Sequence, residues 1–192
     1  LSLCAAGASA QWKPTKPITL IVPWAPGGST DQVTRVTAAE LEKYLGQKIV
    51  IMNQPGASGS VGTKNAWEAP RDGYTWTAGG AKDLGTYKVL GMLDTSAKDW
   101  NLYLNVAHIA VVGVNADTPY KTMPELIAAM KAKPGGIAVA TAGVNSSGHA
   151  AIEALARAAG VTYKHVTYDG GALAAAAAAS SETEVTTHMD AM

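Results

Sequence analysis

Short β-branched runs that stop at a proline- or glycine-bearing loop and resume as a helix-period segment recur along this chain. That alternation leaves few folds open. Ile18–Val22 (ITLIV) has the composition of a parallel strand buried on both faces. The next six residues, Pro23-Trp24-Ala25-Pro26-Gly27-Gly28, suit neither a ladder nor a helix and read as a loop. A helix is expected from Ser29, with Gln32 at capping-box spacing, and Val33, Val36, Thr37, Leu41, Tyr44 and Leu45 at helical intervals. Gly46 supplies its stop.

The unit repeats. Residues 49–52 (IVIM) read as a strand, 53–59 as a loop and 60–69 as a short helix ended by Pro70. A turn at Asp72-Gly73 leads into a strand at 74–78, and residues 81–105 carry no clear pattern. Residues 106–114 (VAHIAVVGV) form a long apolar run suited to a crossing between two lobes. Helices are expected over 122–133 and 149–159, strands over 137–142 and 161–168, and an alanine-rich helix follows Asp169-Gly170-Gly171. The fold class is therefore α/β, with doubly wound parallel sheets in two lobes. In such sheets ligands sit beyond the carboxyl ends of the strands, where the loops 23–28, 53–59 and 143–148 fall.

Charge narrows the partners. Fifteen basic residues balance fifteen acidic ones, so nothing in the composition favours nucleic acid or an anionic membrane. Anion binding stays open, because helix N-termini and backbone amides attract anions without net charge. No apolar run approaches the roughly 20 residues that span a bilayer. Ala8-Ser9-Ala10 fits the end of an export signal cut before Gln11, and the single cysteine, Cys4, falls inside it.

The loops differ in the chemistry they offer. Gly27-Gly28 directly before a helix suits a carboxylate or phosphate, although a tight strand-to-helix connection would read the same. Residues 56–62 have G-x-x-G-x-x-G spacing rather than the dinucleotide G-x-G-x-x-G, and no Gly-Lys-Ser/Thr triplet supports a phosphate loop. Ser146 and Ser147 lack the G-x-S-x-G of a nucleophile elbow and read as ligand hydrogen-bonding groups or a helix N-cap. His108, His149, His165 and His188 show no metal-ligand spacing, so neither metal nor cofactor is expected. Asp31 suits the first turn of its helix whatever the function. Lys82 reads as a solvated lysine or as the partner of a ligand's second carboxylate.

Taken together, the run Lys16-Pro17-Ile18-Thr19-Leu20-Ile21-Val22-Pro23-Trp24-Ala25-Pro26-Gly27-Gly28-Ser29-Thr30-Asp31 resembles the opening of the tripartite tricarboxylate transporter substrate-binding proteins, the Bug receptors. The likeness continues through Asn53-Gln54-Pro55-Gly56-Ala57-Ser58-Gly59, Pro70-Arg71-Asp72-Gly73-Tyr74-Thr75, Pro119-Tyr120-Lys121-Thr122, Ala140-Thr141-Ala142-Gly143 and Tyr168-Asp169-Gly170-Gly171. This resemblance implies a two-lobed, type II periplasmic binding fold that closes over a small carboxylate, either a di- or tricarboxylate or an aromatic acid. It implies a first-lobe wall from Trp24, Ala25, Gly27, Gly28, Ser29 and Thr30 together with Gly56, Ala57 and Ser58. The second-lobe wall would come from Thr141, Ala142, Asn145, Ser146, Ser147 and Asp169. Backbone amides and hydroxyls would hold the ligand, with no catalysis.

The resemblance also implies a monomeric receptor in the periplasm of a Gram-negative bacterium, delivering its ligand to a two-component membrane permease. It places the first lobe at 11–111 and the second at 112–192. Family chains are longer and return to complete the first lobe, so both lobes are expected to be incomplete, with a C-terminal truncation, an exposed sheet edge and poor solubility. Residues 174–179 are all alanine where the family carries larger apolar residues. Two other readings remain: a small α/β hydrolase or transferase using Ser146 or Ser147 with His149, and a sensory solute receptor.

Overall fold

The computed structural model describes residues 12–191, so the expected export-signal end at residues 1–10 lies outside the described residues. Two sheets carry the fold. In the first, β1 (Ile18–Val22), β2 (Ile49–Asn53) and β3 (Thr75–Thr77) run parallel in the order β2-β1-β3. The crossovers are α1 (Ser29–Leu45) and α2 (Ser60–Glu68). Ile18, Leu20, Ala38 and Ile49 form the core between sheet and helix, with Leu41, Leu45 and Trp76 packed against it.

The buried face of α1 is not the one its apolar spacing suggests. Asp31, Thr34 and Ala38 are its buried residues, while Val36 and Tyr44 are 69% and 85% exposed. Polar bonding explains the rotation. Asp31 accepts from Gly27 N, Arg35 Nε and Asn53 Nδ2, and Thr34 donates its hydroxyl to Thr30 O. Fully bonded polar groups occupy buried positions at little cost. The expected capping box is also absent. Gly28 is the N-cap without a side-chain cap bond, and Gln32 instead donates to Gly27 O.

The second sheet holds β4 (His108–Val114), β5 (Ala138–Thr141), β6 (Lys164–Thr167) and β7 (Val185–Ala191) in the order β4-β7-β5-β6. The apolar run at 106–114 thus contributes an edge strand wholly within this sheet. β7, unforeseen in the sequence pattern, lies inside it, antiparallel to β4 and parallel to β5. A short helix, α3 (Ala81–Thr86), occupies part of the patternless region. Around the second sheet lie α4 (Met123–Ala132), α5 (Ser147–Ala159) and α6 (Gly171–Ala179).

Leu126, Met130, Ile137, Val139, Ile152 and Val185 form the second core, each such side chain contributing about 1.5–3 kcal/mol by burial. Thr122 and Glu125 cap α4 reciprocally, and Gly160 ends α5 in the left-handed conformation. Ala174, Ala177 and Ala178 are buried, so the alanine helix lies close on β7 and β5. Among the described residues, no helix is long and apolar enough to cross a membrane.

Candidate functional site

The strand order of the first sheet reverses at β1, the crevice where ligands bind in open parallel sheets. At the carboxyl ends of β1, β2, β5 and β6 the chain turns directly into α1, α2, α5 and α6. The N-termini of all four helices follow those strand ends, where roughly half a positive charge per helix favours an anion.

The loop after β1 is fixed by Asp31. Its carboxylate takes the Gly27 amide at 2.9 Å and pairs with Arg35, while Asn53 bridges Asp31 and Trp24 O. Burial alone would raise the Asp31 carboxyl, but the hydrogen bonds from Arg35, Gly27 and Asn53 outweigh it and leave it below its ordinary value of 3.8. After β2, Ala57 and Ser58 both adopt positive φ, 45° and 55°, where a side chain is strained. Their hold comes from Ser60 Oγ donating to Ala57 O and Tyr87 Oη donating to Ser58 O. The next glycine is required by space: a Cβ at Gly59 would stand 2.8 Å from Tyr87 Oη and 3.0 Å from the Trp24 ring.

Across the crevice, Gly143 has φ 122° and packs so closely that a Cβ there would meet Ser58 Oγ at 2.5 Å. Asn145 is buried and tied to the first sheet's side: Lys82 Nζ donates to its backbone and side-chain oxygens, and Thr86 donates to its Oδ1 at 2.8 Å. Lys82 is therefore a cross-cleft donor, not a solvated lysine, and it also contacts Asp83 at 3.4 Å. Burial raises the Asp83 carboxyl pKa, with Lys82 opposing the rise. A backbone bond from Ala25 N to Asp169 O, 3.1 Å, joins the remaining pair of loops.

Between these contacts lies a cavity of about 480 Å³, lined by Ala57, Ser58, Gly143, Val144, Thr167, Tyr168, Asp169 and Leu173. Of the expected residues, Ala57, Ser58 and Asp169 line it directly. Ala25 and Gly28 pack against residues 169–172 instead, and Trp24 is buried beneath Gly59. Gly27 spends its amide on Asp31. Ser29 and Thr30 are half-buried in the first turn of α1, and Gly56, with φ 130°, leads into the strained turn. Thr141 and Asn145 stand behind the second loop, Ala142 is half-buried there, Ser146 is the N-cap of α5 and Ser147 its first residue. Gly143 and Val144 belong to the loop 143–148 expected at a strand end but were not singled out in its wall, and Thr167, Tyr168 and Leu173 were not expected there. Their signal was positional only, as the residues at and just beyond the ends of β5 and β6.

The hydrolase alternative requires a serine–histidine pair. Ser146 Oγ accepts the His149 amide as a cap, while the His149 ring stacks on His165 at 4.2 Å and faces Glu153 at 3.8 Å. No metal-binding group of three or more His, Cys, Asp or Glu occurs among the described residues.

The family described as the tripartite tricarboxylate transporter family receptor matches residues 33–190. The chain belongs to that family. A relative from Cupriavidus necator, the UPF0065 protein in gbd 5'region, is 34% identical over 171 residues, covering 88% of this chain and 52% of its own. Protein BugT of Bordetella pertussis is 31% identical over 173 residues, covering 86% and 52%. The chain spans about half the length of these curated relatives.

Among solved structures, a periplasmic transporter superposes with TM-score 0.82 at 30% identity, covering 92% of this chain and 60% of that one. Two from Rhodopseudomonas palustris superpose with TM-score 0.80: Rpa4515 with adipate, at 27% identity over 93% and 60%, and MatC with bound malate, at 25% over 93% and 61%. The family is one of transporter receptors, and this chain shares its two-lobed periplasmic binding fold with these solved structures.

Proposed function

We propose that the protein is the periplasmic solute receptor of a tripartite tricarboxylate-type transporter, and that it holds a small carboxylate in the cavity between residues 57–58 and 143–144. The observation that carries this reading is the cavity itself. It has walls from loops of both sheets, beside helix N-termini at strand ends, and contains hydroxyls and backbone amides but no lysine or arginine. Strained backbone at Ala57 and Ser58 supports it, since such strain collects at ligand clamps. The adipate and malate found in two structural neighbours are of fitting chemistry. A two-component membrane permease is the partner this reading requires, recognising the closed, monomeric receptor.

Asp169 is the one charged lining residue, and it opposes ligands of high negative charge. Thermal shift of the complete protein against mono-, di- and tricarboxylates tests the reading; stabilisation by none of them overturns it. Asp169→Asn is expected to tighten binding of a dicarboxylate by up to about fivefold, the size of a solvent-screened charge effect.

A further inference from the structure

Behind the cleft loop, two histidines form a second cluster that the ligand site does not use. The rings of His149 on α5 and His165 on β6 stack at 4.2 Å with an 8° interplanar angle. Glu153 faces His149 at 3.8 Å and accepts the Tyr163 hydroxyl at 2.5 Å. With Arg157 these side chains line a hollow of about 340 Å³. Thr141, fully buried at the end of β5, joins this cluster to the cleft. Its Oγ1 lies 2.7 Å from His165 Nε2, 3.2 Å from Gly143 N and 3.3 Å from Gly143 O.

A hydroxyl has one proton and two lone pairs. Gly143 N–H occupies one lone pair. When Nε2 is bare, the hydroxyl donates to the ring and Gly143 O receives nothing from it. When the ring is an imidazolium, Nε2–H donates to Oγ1 and the hydroxyl proton turns to Gly143 O. We propose that His165 is a positioning residue of the cleft, whose protonation reverses the Thr141 hydroxyl and so resets the hydrogen bonding of Gly143, the glycine that meets Ser58 across the cavity. This rests on the reading of that cavity as the ligand site. The groups facing His165 are His149, Glu153 and Arg157 from α5, Tyr163 from the residue just before its own strand and Thr141 from β5. Stacking makes a second positive charge on the pair costly, whereas Glu153 favours the first. Burial, with His149 adding to it, holds the His165 pKa below its ordinary 6.5.

The test is nitrogen–proton NMR of the complete, ligand-free protein, following the His165 ring nitrogens and the Gly143 amide from about pH 8 to about pH 4.5. The expected result is a neutral ring protonated on Nδ1, and a Gly143 amide that moves with the midpoint of the His165 ring. His165→Gln and Thr141→Val should flatten the Gly143 response, while His149→Gln should raise the midpoint and keep the coupling. A neutral ring protonated on Nε2, or a Gly143 amide that stays flat while His165 titrates, overturns the proposal. The wild-type midpoints decide this even where a variant fails to fold. Malate added at about pH 7.5 supplies the separate check. If no amide of Ser58 or Gly143 responds to this or any other carboxylate, the ligand-site reading falls while the relay stands.

Discussion

At the scale of single residues, bonded polar groups rather than apolar ones fix the cleft. Asp31, Thr141 and Asn145 are each buried, and each holds a loop by bonds to backbone or to the opposite wall. Two of the titrating groups both cost stability as the pH falls, each over its own range. Asp31 is held below 3.8, so its contribution is complete at neutral pH and is lost as the pH falls through that lowered value. His165 is held below 6.5, so the unfolded chain binds its proton first and stability falls as the pH drops beneath 6.5. Denaturant midpoints between about pH 8 and pH 5 are expected to decline, and the decline should shrink in His165→Gln. A midpoint independent of pH across that interval contradicts the assignment.

At the scale of elements, the strained turn of residues 57–59 is a local instability kept by its surroundings. A non-glycine residue in the left-handed region costs about 1–2 kcal/mol, and glycine returns about 0.5–1 kcal/mol of that as lost chain entropy. Ala57→Gly is therefore expected to stabilise the fold by up to about 1 kcal/mol, raising Tm, while weakening carboxylate binding by loosening one wall. A lower Tm would show that the Ala57 methyl contributes packing that outweighs its strain.

Elements also mark what the sequence made legible. β1, β2, both ends of α1, the glycine stop of α5 and the start of α6 followed from β-branched runs and glycines, because those are local signals. The burial of α1 did not, since Asp31 and Thr34 face inward through bonds to Gly27, Asn53 and Thr30 that no periodicity encodes. β7 was missed because Val185–Ala191 mixes threonine, histidine and aspartate, and acquires its strand character from partners far along the chain. In the site, glycine-rich loops at strand ends were readable, but Leu173 and Tyr168 owe their places in the wall to how the two sheets meet.

At the scale of the whole molecule, the two sheets touch through a few specific contacts: Lys82 and Thr86 to Asn145, Ala25 to Asp169, and Gly143 against Ser58. A charge-assisted hydrogen bond is worth about 1.5–3 kcal/mol, enough to shift a two-state equilibrium about tenfold or more. Lys82→Ala in the complete protein is expected to favour the open form without ligand, read as a larger radius of gyration in X-ray scattering. Addition of a bound carboxylate should restore compaction. An unchanged radius would assign closure to the backbone contacts alone.

The position of β7 has a temporal consequence. β4 and β5 are both in the second sheet, yet neither touches the other until the strand between them arrives, and that strand is encoded 77 residues after β4 begins, taking the span from His108 to Val185. Such distant pairings are slow to form and leave unpaired edges exposed meanwhile. A chain emerging amino end first therefore presents β4 as an unfilled edge until residues 185–191 have cleared the channel, so the second sheet gains one of its inner strands late.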